Sequence, residues 1–138
     1  VDMDMVITYV VKTIKRFKEE NGDEQILLEM FDSEQELNFA KDLLSTAIEN
    51  ADEFRALIAS AVKNWESERI AYMDSIILIA ALAEITQFNN IALEISMNEY
   101  IELAKEYSGD KSYGFINGVL NKIVQTLQQE NKLFKTKR

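Results

Sequence analysis

The sequence predicts an all-α fold, a compact bundle of about six helices. Three observations carry that reading. The chain has no proline and only four glycines in 138 residues, so little interrupts a helix. Apolar residues recur at helical spacing through most of the chain. No segment alternates apolar and polar residues for long enough to make a convincing strand. With 47% apolar residues the chain can bury a sizeable core, and its length fits one domain.

The elements follow in order. A first helix is expected from about Asp2 to Glu20, with Met3, Val6, Ile7, Val10, Ile14 and Phe17 on one face and Lys12, Lys15, Arg16 and Lys18 on the other. An acidic connector follows, with Gly22 as a helix-ending residue. Ser33 and Glu36 form a capping box for a helix to about Glu49, burying Leu37, Ala40, Leu44, Ala47 and Ile48. Asn50 and Glu53 repeat the start signal for a helix to about Trp65, with Phe54, Leu57, Ile58, Ala61, Val62 and Trp65 inward. The next helix, from about Ile70 to Thr86, is apolar nearly all round, which places it at the centre of the bundle. A loop centred on Asn89-Asn90 precedes a second capping box, Ser96 with Glu99. The helix it starts runs to Tyr107 and buries Tyr100, Ile101, Leu103 and Ala104. After a Ser-Gly-Asp-Lys-Ser turn, the last helix runs from about Ser112 to Asn131, with Ile116, Val119, Leu120, Ile123, Val124 and Leu127 inward. The chain thus divides into a helix and connector (1–33), a helical bundle (34–131) and a basic tail (132–138).

Composition removes several chemistries. The chain has no cysteine and no histidine. It therefore forms no disulfide, no Cys/His zinc site, no Ser-His-Asp triad and no Cys-His dyad. The absence of cysteine fits a reducing cytoplasm, and a cytoplasmic location is expected. The longest uncharged apolar run, Ile76 to Ala83, lies between Asp74 and Glu84. It is far short of the roughly 20 residues that span a bilayer.

The net charge of −9 argues against broad duplex binding, because phosphate neutralisation drives that affinity. The charge is uneven, however. Lys132, Lys135, Lys137 and Arg138 fall in the last seven residues with no acid among them, and without them 11 basic residues face 24 acidic ones, or −13.

Several side chains invite a functional reading beside a plainer one. Glu99, Glu102 and Glu106 line one helical stripe; paired carboxylates can hold a metal, but a solvated face accounts for the pattern, and no metal or cofactor is expected. Asp74 and Glu84 interrupt the central helix, and a lone buried carboxylate is costly unless paired. For Asp74, an edge position or pairing with Arg69 stands beside a rim carboxylate reserved for a partner. Phe115 lies at the margin of its helix's apolar face, close to Lys122 and Thr126. It can stack an unpaired base while the lysine meets phosphate, or it can be a core ring shielded by a lysine stem. Lys111, Ser112 and the amides opening the last helix can bind an anion. Gly118, inside a helical pattern, suggests close approach of another backbone.

Two blocks carry a family resemblance: Asn98-Glu99-Tyr100-Ile101-Glu102-Leu103-Ala104-Lys105, and Phe115-Ile116-Asn117-Gly118-Val119-Leu120-Asn121-Lys122. Together with Phe39 to Leu44 and the apolar helix ending in Glu84-Ile85, they resemble the NusB family from about Asn38 to Leu127. The resemblance implies an all-α fold of antiparallel helical subdomains and a binding role without catalysis. It implies boxA-like single-stranded RNA and the ribosomal protein NusE as partners, within a transcription elongation complex. By position it assigns Phe115 to RNA, Lys111 and Ser112 to the adjoining turn, and Asp74 with Glu68 to the NusE-facing side.

The chain departs from the family pattern at several points. Its first helix is not Arg-rich, Lys111 stands where many members have an acid, and Gly114 where many have a lysine. Weak RNA binding by the chain alone and tighter binding with NusE are therefore expected. The chain opens on Val1, directly in a helical pattern, as expected of the C-terminal part of a longer member. Two other roles fit the same letters: an accessory domain of an RNA methyltransferase, and a helical protein-interaction module that binds no RNA.

Overall fold

A computed structural model describes residues 34–62 and 70–133. The helix expected over 2–20, the Ser33 capping pair, Trp65, Glu68 and Arg69 lie outside the described residues, as does the chain beyond Leu133. Within them run five helices: α1 (Glu34–Glu49), α2 (Ala51–Ala61), α3 (Tyr72–Gln87), α4 (Leu93–Ser108) and α5 (Asp110–Gln129). No strand occurs among the described residues.

α3 is the axis of the bundle. Every residue from Ile76 to Ile85 is buried, Glu84 included. α1, α2, α4 and α5 all pack against this helix, and α4 and α5 also pack against each other. A helix without a polar face has no side to give to water, so its neighbours must surround it. The inward residues expected on α4 and α5 are all buried.

The differences lie at helix ends and on one face. On α1, Leu43 is fully buried while Ile48 is 36% exposed, so the face meeting α3 centres on Ala40, Leu43 and Ala47. Asn50 makes no side-chain cap for α2; its Nδ2 donates to the Thr46 carbonyl at 2.9 Å and closes α1 instead. α4 starts at Leu93, upstream of Ser96, which is buried inside the helix. Burial of Leu93 draws the helix start back to the extended Ala92 (φ −61°, ψ 141°).

The expected turn between the last two helices contracts to one residue. Gly109 has φ 91° and ψ 179°, a region essentially closed to residues with a side chain, where occupancy costs about 1–3 kcal/mol. That single residue reverses the chain, and α5 begins at Asp110. At its far end, α5 closes with Asn131 in the left-handed region (φ 56°). There the Lys132 amide donates to Leu127 O at 2.9 Å and the Asn131 amide to Gln128 O at 3.2 Å. This is the Schellman arrangement, and it directs Leu133 back against the core.

Glu84, fully buried in α3, accepts a hydrogen bond from the Tyr100 hydroxyl of α4 at 3.3 Å. Burial first, and the Glu84 carboxylate second, hold the Tyr100 phenol well above its ordinary value. A raised folded-state value contributes stability that is intact below the unfolded value and is lost as pH climbs towards the folded one. Stability should therefore fall as pH passes about 10. Urea midpoints measured from pH 8 to 11 should show this loss, and Tyr100→Phe, destabilised by about 1 kcal/mol at neutral pH for the lost hydrogen bond to Glu84, should show a flatter alkaline limb.

Candidate nucleic-acid interface

The site grows out of a contact between two helix starts. Asp74 lies in the first turn of α3, and Ser112 in the first turn of α5. The Ser112 hydroxyl donates to Asp74 Oδ2 at 3.0 Å. Asp74 is only 5% exposed, and its Oδ1 is buried without a hydrogen-bond partner among the described residues. An acid in a first turn is favoured by the positive end of its own helix, and here the start of α5 comes to the same carboxylate. The edge position considered for Asp74 is thus replaced by a buried pair. The hydroxyl, donated by a residue 38 positions away, carries no sequence signal tying it to this acid.

This contact sets the rotation of α5. One turn beyond Ser112, Phe115 is half-buried, one side against the core. Lys111 and Lys122 are exposed. At about 100° per residue, Lys111, Phe115 and Lys122 fall within about 40° of one another on α5. They form one stripe, with the ring at its inner margin. Gly118 lies next to Phe115 on the helix surface, and a Cβ built there would meet nothing within 4 Å. No other backbone approaches Gly118 among the described residues, contrary to expectation.

Ser112 has a different part from the lysines. Its hydroxyl hydrogen goes to Asp74, so it positions the stripe rather than offering a donor outward. An anion at the opening amides of α5 would also lie near the Asp74 carboxylate. Phosphate is better met by Lys111 and Lys122, away from that charge. The sequence reading missed Tyr113, which is 38% exposed with Lys105 Nζ 5.7 Å from its ring centre. That contact ties the last turn of α4 to the first of α5. The only signal for it was a lysine and a tyrosine on either side of the Gly109 reversal. Glu102 and Glu106 are exposed.

Comparisons with known proteins agree with this architecture. A profile of the NusB family matches residues 5–125, reaching further towards the N-terminus than the motifs between Asn38 and Leu127. Transcription antitermination protein NusB of Gloeobacter violaceus is 35% identical over 68% of this chain and 44% of its own length. That of Fusobacterium nucleatum is 40% identical over 66% of this chain and 59% of its own length. The chain thus spans about half the length of these relatives. NusB of Bacillus subtilis is 37% identical over 71% of this chain and 75% of its own length. Among solved structures, T. maritima NusB superposes with a TM-score of 0.72 at 27% identity, covering 88% of this chain and 86% of that one. The fold also matches NusB in a crystal structure of NusB and NusE with double-stranded RNA, with a TM-score of 0.71 at 21% identity over 89% and 92% of the two chains.

Removing the Ser112 hydroxyl strands a buried carboxylate. Ser112→Ala should therefore lower stability by about 2 kcal/mol, read as a fall in urea midpoint at neutral pH. Lys111→Ala, on the exposed side of the same turn, should leave the midpoint within about 0.5 kcal/mol of the parent.

Proposed function

The chain belongs to the NusB family, and from that premise we propose that it serves as a transcription antitermination domain that binds boxA-like single-stranded RNA together with the ribosomal protein NusE. The observation that carries this reading is the stripe on α5. A half-buried aromatic lies in line with two exposed lysines. Unpaired bases stack on such rings, and the lysines reach phosphate. The surface suits a single strand rather than a duplex, since the stripe offers two cations and the chain as a whole carries −9. Affinity from so few charges is modest, so the RNA is held jointly with NusE, and the role is one of binding without catalysis. Asp74 and Glu68 stand on the NusE-facing side in this reading.

Fluorescence anisotropy with a boxA-like oligonucleotide, with and without NusE, tests the assignment. Phe115→Ala should weaken binding by about ten- to a hundredfold, the range of one lost base stack. Lys111→Ala and Lys122→Ala should each reduce the slope of log affinity against log salt by about one. Equal affinity in parent and Phe115→Ala, with helicity intact, would remove the RNA assignment. For the partner side, Asp74→Asn keeps the side-chain shape; weaker NusE binding at unchanged RNA contact supports direct engagement, whereas unchanged NusE binding refutes it.

A further inference from the structure

A second surface feature lies outside the Phe115 stripe, on the opposite margin of α5. The first half of α4 and the second half of α5 enclose a groove of about 460 Å³. Its floor is apolar, with Leu93, Ile101 and Val124 buried and Met97 half-buried. Its walls carry five carboxamides, Asn98, Asn117, Asn121, Gln125 and Gln128, and one charged side chain, Glu94. Among the described residues no lysine or arginine lines it.

The carboxamides are arranged as a ladder. Asn117, Asn121 and Gln125 follow one another at every fourth residue, about 6 Å apart along the helix axis. Asn121 Nδ2 donates to both the carbonyl and the Oδ1 of Asn117, each at 2.8 Å, which orients that pair. Asn98, Gln125 and Gln128 make no side-chain hydrogen bond among the described residues. Each of these amides offers donors and an acceptor together. That is the chemistry of a peptide group. An extended peptide shows the same edge every second residue, about 6.6–6.8 Å along its length, close to the spacing of the ladder. From Asn117 to Gln128 the helix rises about 16 Å, the length of about five extended residues.

The charge selects among ligands. A nucleic acid brings phosphates, which need cations, and among the described residues this groove offers one acid and no cation. A peptide brings a neutral backbone, and a basic one complements Glu94. We infer that the α4–α5 groove is a docking site for a short, extended, basic peptide segment of a partner protein. The carboxamide ladder reads its backbone, its apolar side chains lie towards Met97 and Val124, and a lysine or arginine meets Glu94. This site is independent of the RNA reading, because it shares no residue with the Lys111–Phe115–Lys122 stripe.

The side-chain NH₂ signals of the asparagines and glutamines report on the site directly. In the ¹⁵N-labelled chain, the probe acetyl-Lys-Leu-Lys-Leu-Lys-amide should shift the signals of Asn98, Asn117, Asn121, Gln125 and Gln128 saturably. Glu94→Lys, an exposed position that leaves folding intact, should weaken that peptide at least fivefold and should admit acetyl-Glu-Leu-Glu-Leu-Glu-amide instead. N-methylation of the two leucine amides should abolish the shifts, since the backbone is what the ladder reads. The inference is overturned if pentauridylate shifts these signals in place of the peptide. It is equally overturned if the peptide's shifts fall outside the groove, or if no saturable shift appears at millimolar peptide.

Discussion

The burial of the central helix from Ile76 to Ile85 governs the rest of this structure. That helix has almost no contact with solvent there, yet it carries two carboxylates, Asp74 near its start and Glu84 near its end. Water is closed to both, so each takes a hydroxyl from a neighbouring helix: Ser112 for Asp74 and Tyr100 for Glu84. Hydrophobic burial is non-directional and tolerates sliding or rotation. A hydrogen bond to a buried charge tolerates neither, because a small displacement strands the charge. The two carboxylates therefore act as pins, one for α4 and one for α5.

Surface chemistry follows from those pins. With Ser112 held inward, the remaining faces of α5 are assigned by helical geometry alone. Lys111, Phe115 and Lys122 come out on one margin, and the carboxamides from Asn117 to Gln128 on the other. The Gly109 reversal presses α4 and α5 together along their length. The same reversal brings Lys105 over the ring of Tyr113, and at the far end the packed helices line the carboxamide groove. α5 thus divides its exposed surface between a cationic, aromatic edge and a neutral amide edge, and α4 sets the single acid Glu94 across from the latter.

The distribution of charge supports the proposed role, in which RNA is held jointly and not by this chain alone. A chain at −9 repels phosphate at long range, and its lysines near Phe115 are few. Stacking on a ring whose other side rests on the core costs little entropy, because the ring is already held. Such a surface suits short, local contact with a strand whose path is also set by a second protein.

The sequence by itself determined the helical class, the central place of the apolar helix and the inward faces of α4 and α5. These follow from local periodicity, which each segment carries regardless of its neighbours. It also singled out Phe115, Asp74 and Glu84 as anomalies in otherwise regular patterns. Helix ends were less legible: Asn50 had two helix termini within reach, and Ser96 resembled a cap while burial of Leu93 moved the start upstream. Only the tertiary structure decided which partner each buried acid took, since Ser112 is 38 residues from Asp74 and Tyr100 is 16 from Glu84. It alone brought Lys105 to Tyr113 and set the carboxamides of two helices around one groove. Those are meetings between distant segments, fixed by how whole helices pack, and no window of sequence contains both sides of the contact.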